Sequence, residues 1–123
     1  MAKWILVLAS LSGALSVMLG AFAAHGLKAK LPPHLLDVFQ TGVQYQFIHT
    51  LVLLVVGIWM RFLPTSGLSY AALFFALGIV MFSGSLYALA LTGIKWFGPI
   101  TPLGGLCFII GWVALAVAAW RLA

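Results

Sequence analysis

Four apolar stretches make up most of this chain: Trp4 to Ala24, Thr41 to Phe62, Leu68 to Thr92 and Pro102 to Trp120. Its charged side chains all fall at the ends of these stretches or between them. Each stretch is close to the ~20 residues that a helix needs to cross a hydrocarbon core. Breakers separate them: Pro32-Pro33, Pro64-Thr65-Ser66-Gly67, and Gly98-Pro99 ahead of Thr101-Pro102. A soluble domain carries roughly 25% charged residues, whereas 6% of this 123-residue chain is charged and 65% is hydrophobic. Mean hydropathy is +1.24. Too few charges are present to coat a surface for water, so the expected solvent is lipid. There the backbone must pair internally, which makes the stretches helices. The expected fold is all-α and integral to the membrane: an antiparallel up-down four-helix transmembrane bundle. Residues 1–123 form one multi-pass domain, with both termini on one side.

A competing reading exists at the start. Lys3, an apolar run and Ala21-Phe22-Ala23 are also the pattern of a cleavable secretory signal. The run's length and its regularly spaced small residues favour a retained span.

Small residues recur at helical spacing in three of the stretches: Ala9, Gly13, Ser16, Gly20 and Ala24; then Ala71, Gly78, Ser85 and Thr92; then Gly104, Cys107, Gly111, Ala114 and Ala118. In the second stretch Gly42, Tyr45, Gln46, His49, Leu53, Val56 and Met60 fall within about 100° of one helical face. Membrane helices meet where small side chains let backbones approach, so these stripes mark the expected contact faces. Between the first two stretches, "HGLKAKLPPHLLDVFQTG" suits either a short helix lying in the interface or an extension of the second helix. Pro32-Pro33 would start it.

The polar groups are distributed unevenly. Take side A as the side of the termini and side B as the other. His25, Gln44, Gln46, His49, Ser83, Ser85, Tyr87, Thr92 and Thr101 all belong to the half nearer B. Side A carries Trp4, Trp59, Arg61, Trp120 and Arg121, the usual interfacial anchors. A site is therefore expected to open toward side B. His49 is its sharpest member, because an ionisable side chain within a span is a functional candidate by default. It reads equally as a neutral imidazole hydrogen-bonded to Gln46, on a face shared with Tyr45, acting as structural glue. His25, followed by Gly26, reads either as a site residue or as the end of a capped helix.

Two imidazoles could in principle hold a haem. A zinc site wants more ligands than these, and no carboxylate is near. The expectation is no metal and no cofactor. Cys107 stands alone, which excludes an intramolecular disulfide, and reads as a small core residue. Thr101 before Pro102 is expected to cap the fourth helix, with Gly104 and Gly105 baring its first turn. That turn, with Lys95 just ahead of it, could attract an anion or simply pack tightly against the second helix. Lys28, Lys30 and Lys95 are candidates for contact with anionic headgroups at side B.

The motifs "GALSVMLGAFAAHG", "FQTGVQYQFIHTLVLL", "FSGSLYALALTG" and "GPITPLGGLCFIIGW" together resemble a family of small bacterial inner-membrane proteins, the domain of unknown function 423. Its eukaryotic relatives are similar to transmembrane protein 256. The resemblance covers nearly the whole chain in order. It implies a four-span protein of the bacterial inner (plasma) membrane with no assigned activity, and it supplies no catalytic residue.

Two functions from different classes fit these residues. The first is a non-enzymatic module whose polar half binds a lipid, a small hydrophobic ligand or a membrane partner, through His25, Tyr45, Gln46, His49, Ser85, Thr101, Gly104 and Gly105. The second is a small transporter or proton relay using His49 with Gln46 and Ser85. An enzyme is not expected, since no nucleophile, base and acid set stands out. Membrane lipids, a second copy of the chain or another membrane protein are the expected partners, and nucleic acid is not. Lys3, Arg61 and Arg121 on side A balance Lys28, Lys30 and Lys95 on side B, so the positive-inside rule nearly ties. The free amine tips the expectation toward cytoplasmic termini.

Overall fold

The breakers start and stop helices close to where the sequence puts them. In the computed structural model, which describes residues 1–122, α1 spans Ala2–His25, α2 Pro33–Phe62, α3 Ser66–Gly78, α4 Gly84–Thr92 and α5 Ile100–Trp120. A π-helical segment, Ile79–Ser83, joins α3 to α4. Ser66–Thr92 is thus one continuous span, and among the described residues four helices are long and apolar enough to cross a membrane.

Pro33 is the first residue of α2 and Pro32 before it is extended, the arrangement that a ring-fixed φ prepares. The polar segment after it therefore extends the second helix rather than forming a separate one. Phe39 in that extension is buried against Ala23, Leu27 and Ala90, which explains why it stays helical beyond the hydrocarbon. Thr65 caps α3 by accepting the Leu68 N–H at 3.3 Å. Gly93, at φ 71°, ends α4 in the left-handed conformation that a side chain would disfavour.

Two ends differ from the sequence reading. Gly26 stays right-handed at φ −77°, so α1 passes straight into a short 3₁₀ turn at Leu27–Ala29 instead of stopping at a left-handed cap. Thr101 does not cap α5. Gly98 and Pro99 are already in the α region, the helix opens at Ile100, and the Thr101 N–H bonds to the Gly98 carbonyl at 3.2 Å. Pro102 then occupies the first turn, where its missing N–H costs nothing.

Each span packs antiparallel on the next in sequence: α1 on α2, α2 on the third span, and the third span on α5. Along the first pair, Gly57 meets Leu6, Gly13 meets Thr50 and Gly20 meets Val43. Along the last pair the fit is reciprocal. A side chain at Gly78 would strike the Phe108 ring, and one at Gly111 would strike the Phe75 ring. The expected stripes thus form the contacts, with three adjustments. Ala23 rather than Ala24 is buried on α1, Tyr45 on α2 is partly exposed, and Thr92 is exposed. Glycine and phenylalanine alternate as hole and knob, which is how helices gain packing where lipid supplies no hydrophobic drive.

The closest approach is at Gly104. A Cβ placed there would overlap the backbone nitrogen of Phe82, inside the π-helical segment. Backbone cannot swing aside as a side chain can. Gly104→Ala is therefore expected to destabilise the protein by about 1–3 kcal/mol, the range for overpacking. Gly84→Ala, where nothing lies within 4 Å, is the matched control and should be neutral or stabilising. Unfolding of both variants in detergent checks the difference, and equal behaviour would remove the close-packing account.

Candidate functional site

The buried polar side chains form three separate hydrogen-bonded groups. The first centres on Gln46, which is 3% exposed. Its amide nitrogen donates to the Ser12 carbonyl at 3.2 Å and to Ser12 Oγ at 3.1 Å, and its Oε1 accepts from Tyr87 Oη at 2.6 Å. Ser12 Oγ also lies 2.7 Å from Thr50 Oγ1. Gln46 on α2 therefore ties α1 to α4. Tyr87 reaches it because its ring lies on Gly42, where an added Cβ would come within 2.7 Å of the ring. Ser83, the last residue of the π-helical segment, donates to the Gly42 carbonyl at 2.7 Å and fixes the same crossing.

The second group is built around His49, 4% exposed. Nδ1 lies 2.8 Å from the Tyr45 carbonyl, and Trp112 Nε1 donates to Nε2 at 3.2 Å. A carbonyl only accepts and an indole N–H only donates, so this pattern assigns the proton to Nδ1 and a neutral imidazole. The ring stacks on Phe108 with centroids 3.6 Å apart and planes at 8°. Phe75 and Trp112 stand around it at centroid distances of 5.8 and 5.9 Å. Tyr45 stacks on Phe82 and Phe108 at 4.6 and 6.3 Å. Side chains from α2, α3, the π-helical segment and α5 thus make an aromatic cluster with one imidazole inside it. Two of its members reach the outer surface: Tyr45 is 39% exposed and Trp112 44%.

The third group pairs Ser85 Oγ with Thr101 Oγ1 at 2.6 Å, and Ser85 also donates to the Phe82 carbonyl at 2.9 Å. Among the described residues no buried side-chain nitrogen or oxygen lacks a partner.

Of the expected site residues, Tyr45 and His49 come together, while Gln46 shares their helix but bonds to Ser12 and Tyr87 instead of His49. Gly104 and Gly105 face Phe82, the former at its backbone, so the first turn of α5 is filled by packing. His25, Lys28, Lys30 and Lys95 are all exposed in or beside the side-B connections, apart from these groups. The cavities divide between the two sides. Two flank the α2–α3 turn at side A, and a third, a groove between α1 and α2 at Ser16, Val17, Val43, Gln44 and Phe47, lies in the half nearer side B. Sequence reasoning missed Ser12, Thr50, Phe108 and Trp112. A signal for Trp112 was present: it lies in mid-span, away from the interfacial belts, where an indole N–H has no water and has to find an acceptor.

Long apolar helices around a polar interior paired with itself define a multi-pass helical membrane protein. The chain belongs to the family described as protein of unknown function (DUF423), matched over residues 19–105. It is similar to UPF0382 membrane protein YwdK of Bacillus subtilis, with 49% identity covering 95% of this chain and 96% of that one. It is likewise similar to UPF0382 membrane protein SAB0533 of Staphylococcus aureus, with 41% identity and 98% of both chains covered. UPF0382 inner membrane protein YgdD of Escherichia coli K12 is 39% identical over 98% of this chain and 92% of its own. No solved structure matches it.

Replacing Gln46 with Leu leaves the Tyr87 hydroxyl buried without an acceptor, and should cost about 1–3 kcal/mol. The double change Gln46→Leu with Tyr87→Phe removes both partners and should recover part of that loss. Equilibrium unfolding of both singles and the double tests this cycle; strictly additive losses would mean that the 2.6 Å contact contributes nothing. At His49, Phe keeps the stack on Phe108 but not the acceptor for Trp112, and Gln keeps an acceptor but not the stack. Each is expected to cost about 1 kcal/mol, and His49→Leu, which loses both, more than either. A His49→Leu variant as stable as the wild type would remove the structural role of the imidazole.

Proposed function

We propose that the protein is a non-enzymatic binding module of the bacterial inner membrane. In this reading the polar interior locks the helix crossings, and the exposed edge of the aromatic cluster, at Tyr45 and Trp112, takes a ring-bearing hydrophobic molecule dissolved in the bilayer. The observation that carries it is the pairing of His49 with Trp112 inside an aromatic cluster whose outer members, Tyr45 and Trp112, are partly exposed. A flat ligand finds aromatic faces there, where offset stacking is favourable. Rotation of the Trp112 indole would free the imidazole Nε2 as an acceptor for a ligand hydroxyl.

The non-enzymatic part is supported by how the polar groups are used. Ser85 and Thr101 pair as two hydroxyls, as do Ser12 and Thr50, and neither pair has a base beside it. His49, the one imidazole in the interior, has both nitrogens engaged. A proton relay through His49, Gln46 and Ser85 is less well supported, since those residues belong to three separate groups. The exposed Lys28, Lys30 and Lys95 would supply a diffuse attraction for anionic headgroups at side B. A membrane protein partner or a second copy would meet the lipid-facing sides of α1 and α5, which carry much exposed apolar surface.

The test uses a variant in which Trp4, Trp59, Trp96 and Trp120 are changed to Phe, leaving Trp112 as the sole indole. In vesicles, a short-chain benzoquinone or naphthoquinone probe should quench it saturably. A companion variant keeping only Trp120 should show quenching that rises linearly, as simple partitioning predicts. Linear quenching of equal slope in both variants would overturn the assignment of the Tyr45–Trp112 edge as the binding surface.

A further inference from the structure

The α2–α3 turn at side A has cavities on both flanks, and their chemistry differs. The first, about 340 Å³, is walled by Trp59, Leu63, Leu68, Val117 and Ala118, with Arg121 also lining it. The second, about 410 Å³, is lined by Lys3, Arg61, Thr65 and Ser69 among others. Thr65 lines both, so an apolar cavity and a basic one are neighbours across a single turn.

We infer that this turn is a binding site for an anionic phospholipid, with an acyl chain in the apolar cavity and the phosphate against Arg61, Arg121 and Lys3. Three observations converge on that occupant. The cations have no acidic side chain near them. The sequence has a single one, Asp37, 24 residues before Arg61 on the same helix, which places it roughly 36 Å away at 1.5 Å per residue. That is several screening lengths at physiological salt. The second observation is the start of α3. Thr65 satisfies the N–H groups of Leu68 and Ser69, through its hydroxyl and its carbonyl. The N–H groups of Ser66 and Gly67 precede these in the first turn, where a helix supplies no acceptor of its own, and both residues line the first cavity. Free N–H groups at a helix start favour an anion, here in company with Arg121.

The third observation is the apolar wall itself. A free phosphate would need only the cations and N–H groups around the turn and would leave Trp59, Leu68 and Val117 unused. A lipid uses both, and 340 Å³ is within the range of ligand pockets. Charge sets the headgroup class. A choline or ethanolamine group would bring another cation beside the two arginines and Lys3, whereas a glycerol headgroup would not. The occupant is therefore of the phosphatidylglycerol or cardiolipin type. This site is distinct from the aromatic edge at Tyr45 and Trp112 and stands or falls independently of it. It also differs from the exposed side-B lysines, which share none of these cavities.

The experiment is a native mass-spectrometric titration of delipidated protein in a neutral maltoside detergent. The ligands are phosphatidylglycerol, phosphatidylcholine with the same chains, and glycerol phosphate. Phosphatidylglycerol is expected to bind at least tenfold more tightly than phosphatidylcholine. R61Q/R121Q should lose that preference and R61K/R121K should largely keep it. Ala118→Leu, which fills the apolar cavity, should weaken both lipids, and K28Q/K30Q/K95Q should leave the preference intact. Lipid-free thermal unfolding separates lost binding from lost folding. If R61Q/R121Q unfolds early, the Ala118→Leu and lysine variants decide. A preference that survives in R61Q/R121Q, or that falls equally in the lysine triple variant, overturns the site. So does an Ala118→Leu variant that binds both lipids as the wild type does. Glycerol phosphate binding as tightly as phosphatidylglycerol would mean a soluble phosphate ligand and would also overturn the lipid assignment.

Discussion

A side-chain amide surrounded by hydrocarbon has to satisfy both of its ends, and Gln46 does so by reaching in opposite directions. Its nitrogen goes to Ser12 on α1 and its oxygen to Tyr87 on α4. An isolated membrane helix keeps its backbone paired wherever it sits, so backbone hydrogen bonds choose no partner. Buried polar side chains do choose. Sliding α1 by one turn along α2 would separate Ser12 from both Gln46 and Thr50, leaving groups unpaired in a medium that offers no water. Individual interhelical bonds in membranes are modest, about 0.6 kcal/mol on average. Their effect here is to set register: one residue fixes two helix pairs at once.

Register in turn decides whether glycine and aromatic side chains meet. With the third span and α5 held as they are, Phe108 fits over Gly78, Phe75 over Gly111, and the backbone at Phe82 over Gly104. Those fits bring Phe108 against His49 and Trp112 within reach of its Nε2. The π-helical segment belongs to the same arrangement. It carries Phe82, which packs on Gly104 and Tyr45, and Ser83, which bonds to the Gly42 carbonyl. Irregular helix of this kind is tolerated in lipid when neighbouring groups satisfy the backbone and side chains around it.

The spans, their antiparallel order and most of their contact faces were legible in the sequence, because long apolar runs, prolines and small-residue spacing are local signals. The pairings inside the bundle were less so. Gln46 and His49 are recognisable as a buried polar face with Tyr45 at its edge, yet nothing local says that Gln46 turns to Ser12 while His49 turns to Trp112. That choice depends on which helices lie left and right of α2, a property of the whole bundle. Thr101 illustrates the same limit. Its position before Pro102 has the local pattern of a cap, but the preceding turn is already helical, so its hydroxyl is free to pair with Ser85. The cavities at side A come from the geometry of the α2–α3 turn, which no residue pattern encodes.

An interior so fully paired also restricts where anything else can bind. A ligand entering between Gln46 and Tyr87 would have to replace every hydrogen bond it displaced, at a cost typical of leaving buried groups unmet. The surfaces without that penalty are those where a polar or aromatic group is already exposed: the Tyr45–Trp112 edge and the basic rim at the α2–α3 turn. They lie at different depths, and the proposed occupants differ accordingly, a ring at the first and a phosphate at the second. A chain of 123 residues with four spans has little volume to enclose a substrate. Under the binding proposals its recognition would therefore lie on its outside, with the polar core keeping those outer surfaces in one fixed shape.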